Sequence, residues 1–94
     1  MPEQMHFDFT PNDDGASGTI VTNLTLTDGD PEHYPTPLAA LDGSFTAALL
    51  VAVDGLGAFT LHGATLTFTR AADSDLPIEL IANEIIAVLR EAFL

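Results

Sequence analysis

The feature that most constrains this chain is its C-terminal run, "DSDLPIELIANEIIAVLREAFL" at residues 73–94. At about 100° per residue, Ile78, Ile81, Ala82, Ile85, Ile86, Val88, Leu89 and Phe93 fall on one arc, while Glu79, Asn83 and Arg90 lie opposite. The spacing predicts an amphipathic helix running to the C-terminus. Ser74 or Asp75 offers an N-cap, and Pro77 suits the first turn, where a missing N–H costs little. Burying such a stripe contributes about 1.5–3 kcal/mol, gross, for each large side chain. Leu80 and Leu94 fall toward the polar side, an apolar fringe that would support a homodimer contact through this helix.

A helix with one apolar face needs a surface to cover, and the preceding residues supply strands. "MHFDF" sets Met5, Phe7 and Phe9 on one side and His6 and Asp8 on the other. "TPNDDGASG" breaks it with turn formers. "TIVTNLTLT" resumes a period of two, with Ile20, Leu24 and Leu26 facing one way and a Thr-rich set facing solvent, as in a half-buried antiparallel strand. "PLAALDG" reads as one short helical turn. "SFTAALLVAV" and "AFTLHGATLTFTR" then flank "DGLG", which predicts a hairpin turning at residues 54–57, although the Ala- and Leu-rich part at 47–53 could instead be helical. Gly63 marks a bulge or a break into two short strands. The expected fold is α+β: a single domain, residues 1–94, with a small antiparallel sheet of about four to five strands and the C-terminal amphipathic helix packed on one face.

Chemistry is announced nowhere. The chain has no cysteine, which removes disulfides, thiolate metal sites and cysteine nucleophiles, so stability rests on apolar packing. It has no lysine, which excludes a P-loop. "GLGAFT" at 55–60 begins like a dinucleotide fingerprint, but Thr60 replaces the last glycine and strand sequence follows. The serines lack a nucleophile elbow. His6 with Asp8 could join His33 or His62 at a metal, but no ligand spacing supports it. In "TDGDPEHYPTP", residues 27–37, Asp28, Asp30 and Glu32 alternate like the start of a calcium loop; His33 stands where that loop needs glycine, and Ala39 stands where it needs a bidentate acid. No catalytic residue, metal site or cofactor is therefore assigned. The N-terminus lacks a signal-peptide pattern, and the longest apolar run, "AALLVAV", is far short of a bilayer span, so a soluble, cytoplasmic protein is expected.

Charge carries the functional reading. Formal net charge is −12, although charged residues are only 17% of the chain, so the imbalance comes from missing cations: Arg70 and Arg90 face fourteen acids. A salt-loving host or a GC-rich genome would also deplete lysine. The distribution nonetheless favours function, because residues 1–37 carry −7 with no cation and the remainder carries −5. Such a field repels nucleic acid and anionic membrane and attracts basic surfaces. The expected function is that of a non-enzymatic acidic protein occupying the positively charged surface of a basic, nucleic-acid-processing partner. Small acidic inhibitors that phages and other mobile elements direct against host defence offer a parallel in size and charge, and would act in the host-cell cytoplasm. The expected contact residues are Asp8, Asp13, Asp14, Asp28, Asp30 and Glu32, with Tyr34 as the aromatic anchor. The alternative is a virion or scaffold component, in which the helix and the sheet edges make contacts and charge serves solubility.

Overall fold

The computed structural model describes residues 5–27 and 30–93. Five antiparallel strands form one sheet: β1 (Phe7–Pro11), β2 (Ser17–Thr22), β3 (Glu32–Tyr34), β4 (Leu56–His62) and β5 (Thr65–Arg70), in the order β1-β2-β5-β4-β3. Between β3 and β4 lie a 3-10 segment (Pro37–Asp42), a short helix α1 (Phe45–Leu49) and a further 3-10 turn (Leu50–Ala52). The chain closes with α2 (Ile78–Ala92). The α+β architecture with a C-terminal helix against the strands is thus the one that the hydrophobic periods demand.

Register fixes the two faces of the sheet. Phe9 pairs with Ile20, Ile20 with Leu66, Leu66 with Leu61, and Phe59 with both Phe68 and Tyr34, so the apolar set shares one side. That side is covered by α2, which touches β1 and β2, and by the 37–52 segment, whose 3-10 turn touches β3 and β4; α1 meets α2. Phe59, Phe68, Ile20, Leu50, Leu61, Leu66, Ile81, Ile85 and Leu89 are fully buried between the two layers. The opposite face is open. Thr10, Thr19, Thr67 and Thr60 align across four strands, and His33 completes the row on β3, its Nδ1 2.7 Å from Thr60 Oγ1. The hydroxyls of this row satisfy solvent while the β-branched carbons suit the pleat.

Both sheet edges are kept short. Pro11 ends β1, and the three residues of β3 lie between Pro31 and Pro35, which cannot donate to a further strand.

Four expectations need correction. Residues 45–52 are helical, so no hairpin turns at 54–57. Ser44 caps α1 by accepting from the Ala47 amide at 3.3 Å, and Ala47, Leu50 and Val53 are buried at a spacing of three, which suits helical turns and not a strand. The hairpin lies one element later, between β4 and β5, where Gly63 takes φ 62°. Gly63 is thus the break between two strands. β2 ends at Thr22 instead of running through Thr27, because residues 24–27 leave the ladder to dock on the β4–β5 turn: the Leu26 amide donates to the Gly63 carbonyl at 2.8 Å, and the Gly63 amide to Thr27 Oγ1 at 2.9 Å. Finally, neither Ser74 nor Asp75 caps α2. Pro77 occupies the cap with no side-chain bond, and the Ser74 hydroxyl accepts from the Leu76 amide instead.

Candidate functional site

Strand order decides where the predicted contact residues go. β1 and β3 are opposite edges of the sheet, so Asp8, on β1, and Glu32, on β3, are separated by the full width of five strands, about 19 Å at ~4.8 Å per strand. Asp30 stands two residues before the start of β3, while Asp13 and Asp14 lie in the β1–β2 turn. Asp28 lies outside the described residues. The six of the expected residues that are described are therefore divided between the two edges of the sheet and the β1–β2 turn.

Asp8 projects from the open face of β1, where its Oδ2 is 2.7 Å from His6 Nε2. His33 is on the far edge, so the structure does not bring it to this pair. The group at the β3 edge is built inward. Glu32 and Tyr34 pair with Leu61 and Phe59, on the covered side of the sheet, and both are half-buried. The Tyr34 ring lies 5.2 Å from that of Phe59, and its hydroxyl donates to Glu32 Oε1 at 2.5 Å. That hydrogen bond to the carboxylate, with partial burial second, holds the phenol above its ordinary pKa. Tyr34 is consequently engaged within the fold through both its ring and its hydroxyl.

The β1–β2 turn gains neighbours that the linear sequence conceals. Pro11 pairs with Gly18, Ser17 with Thr69 and Arg70 with Leu56, which brings this turn, the β5–α2 connection and the entry to β4 to one end of the sheet. Backbone bonds tie them together: the Arg70 amide donates to the Ala16 carbonyl and the Ala71 amide to the Gly55 carbonyl, each at 2.7 Å. Asp13, Asp14, Asp54, Asp73 and Asp75 are all exposed at this end. Asp54, Asp73 and Asp75 escape sequence reasoning because only strand pairing brings them beside Asp13. The available signal was weak: each stands in a Gly- or Ser-containing turn next to a strand or helix end.

Asp14 differs from the others. Its Oδ1 accepts from the Ala16 amide at 2.9 Å and from Ser17 Oγ at 3.1 Å, and these bonds, the Ala16 one first, lower its pKa below the ordinary carboxylate value. Asp13, Asp54, Asp73 and Asp75 have no hydrogen bond or ion pair among the described residues. Neither arginine forms an ion pair with them among the described residues. Arg70 donates through Nη1 to the Leu76 carbonyl at 3.3 Å, and the Arg90 guanidinium lies 5.5 Å from the centre of the Phe7 ring. His6–Asp8 is the one ion pair among the described residues.

Beside this end lies a shallow groove of about 210 Å³, with Ala52, Leu76, Leu80 and Ile81 between Asp54 and Glu84. Its volume is below the roughly 300–1,000 Å³ usual for small-molecule pockets, and no three His, Cys, Asp or Glu side chains among the described residues converge as a metal site. No helix among the described residues is long and apolar enough to cross a membrane. No family model matches the chain, and no curated protein matches it.

Proposed function

We propose that this protein is an acidic binding module that occupies the positively charged surface of a basic, nucleic-acid-processing protein and so inhibits or regulates it. The observation that carries this reading is the gathering of Asp13, Asp54, Asp73 and Asp75 at one end of the sheet, where they form no ion pair among the described residues and the arginine at that end, Arg70, donates to the Leu76 carbonyl. Carboxylates that served stability would be expected in capping or ion-paired roles, as Asp14 is, whereas these four stand in solvent. Carboxylates spaced along adjacent loops can take the place of phosphates in a basic groove, releasing its counterions, so affinity should fall as salt rises. Asp14 contributes charge while also holding its turn. The working acidic surface accordingly shifts from the front third of the chain to one end of the fold.

The test is affinity capture from the native host at low salt, identification of the retained protein, and titration of that protein with a variant carrying Asp13→Asn, Asp54→Asn, Asp73→Asn and Asp75→Asn. The reading expects a retained protein with a basic surface, slower association by the variant and competition by duplex nucleic acid. Binding that is indifferent to both salt and the variant would refute it. An assembly role, with the chain building a larger particle, predicts instead a stable homo-oligomer that the four substitutions leave intact.

A further inference from the structure

Of the four large apolar residues that the helical layer exposes among the described residues, Leu80 stands alone on α2, while Leu38, Leu41 and Phe45 fall within eight consecutive positions. Leu38 and Leu41 are 70% and 59% exposed, and they stand three apart on the 3-10 segment, where such positions eclipse and share a face. Phe45, the first residue of α1, is 71% exposed. Ala40 and Ala47 on the same stretch are completely buried, so the segment has an inner apolar side already used and a second apolar side left in water. Next to Phe45 is an open hollow of about 280 Å³, walled by Thr25, Leu26 and Thr27, by Glu32, and by Phe93 at the end of α2. An exposed aromatic ring beside a hollow, with two exposed leucines a few residues before it in the chain, has the composition of an interface centre and not of ordinary surface.

We propose that Leu38, Leu41 and Phe45, with the hollow beside Phe45, form the anchoring surface for an apolar patch rimmed by Lys or Arg on a partner protein. Among the described residues, the charged side chains of this stretch and of the hollow are acidic. Asp42 follows Leu41 on the same 3-10 segment and is exposed, and Glu32 lines the hollow. Arg70 and Arg90 are held elsewhere, at the Leu76 carbonyl and over Phe7. A second copy of this chain would bring the same acids and no cation to meet them, whereas a basic rim would pair with Asp42 and Glu32 at the edge of the contact. Phe45 therefore takes the aromatic role that sequence reasoning gave to Tyr34. This inference rests on the proposed function only in taking the partner to be basic.

The probe is a synthetic amphipathic helical peptide with leucines on one face and lysines on the other, titrated into 15N-labelled protein; a control peptide keeps the lysines and replaces every leucine by glutamine. The leucine peptide should shift amides at 38–46 and 25–27, and Phe45→Ala should weaken it by roughly tenfold or more. Leu38→Ser with Leu41→Ser should weaken it as well, both variants keeping the parent melting temperature because these side chains are exposed. The control peptide should shift only the end carrying Asp13, Asp54, Asp73 and Asp75. If both peptides shift only that end, or Phe45→Ala leaves the affinity unchanged, the anchor is refuted while the basic-partner reading stands. If the leucine peptide binds at 38–46 with no dependence on salt, the anchor stands and the basic-partner reading fails. A concentration-dependent dimer that Phe45→Ala abolishes would give the patch to a second copy and overturn the assignment.

Discussion

Asp14 and Gly43 show how a single residue can hold a turn or a close approach. Because backbone and Ser17 hydrogen bonds favour the ionised form of Asp14, its pKa is lower in the folded chain than in the unfolded one. A depressed carboxylate contributes stability that is present above the unfolded value, 3.8, and is lost as pH falls through the lower folded value. Asp14→Ala should therefore melt below the parent at neutral pH and converge with it in strong acid, a pattern that thermal melts from pH 7 to pH 2 would reveal. A constant difference across that range would mean that the turn and not the charge is responsible. Gly43 is a question of space. A Cβ there would lie 2.7 Å from Tyr34 Cζ, so the Tyr34 ring or the backbone at 43 would have to shift, disturbing the contacts of that ring with Phe59 and Glu32. Gly43→Ala should cost about 1–3 kcal/mol in urea denaturation. Tyr34→Phe, which keeps the ring, should cost about 0.5–1.5 kcal/mol.

Among the elements, the β4–β5 turn does more than reverse the chain. With Gly63 at positive φ, its amide and carbonyl point at the 24–27 segment, where Thr27 Oγ1 and the Leu26 amide complete both bonds. Thr27→Val keeps the shape and removes the acceptor from a buried position, so the Gly63 amide loses its partner; a loss of about 1–3 kcal/mol is expected, with faster hydrogen exchange at Gly63. This docking was not legible in the sequence, since Leu24 and Leu26 continue the alternation of β2 and nothing local says that the ladder stops at Thr22. α2 was legible because fifteen residues of strong period outweigh any single position, and its arc matches the buried Ile78, Ile81, Ala82, Ile85 and Leu89. Its start was not, because a Ser–Asp pair advertises a cap that Pro77 takes without a side-chain bond. "AALLVAV" is ambiguous by nature: a short apolar run suits a buried strand or a buried helix, and here Ser44 at its N-terminal side and burial every third residue favour the helix. The acidic end was hidden for a different reason, since residues forty to sixty positions apart in the chain become neighbours only through the order of the strands.

For the whole molecule, folding and binding make opposite demands on charge. The histidines and the threonine row occupy the open face of the sheet, while unpaired acids crowd one end and the rim of the helical layer. A net charge of −12 on a chain whose Cα radius of gyration is 12.3 Å means that the acids of the described residues feel others within about two screening lengths at 0.1 M salt. Self-repulsion therefore works against the compact state, and added salt should raise the melting temperature. Asp13→Asn, Asp54→Asn, Asp73→Asn and Asp75→Asn together should do the same, by a few degrees in low salt and by less at 1 M, where the screening length is about 3 Å. If these acids exist to meet a basic surface, the variant that gains stability must lose association rate, and both changes must fade together as salt rises. If they serve only solubility, the variant gains stability, precipitates more readily and binds as before. Melting curves and association rates measured on the same variant across one salt series separate the two, because only a surface kept for binding trades one quantity against the other.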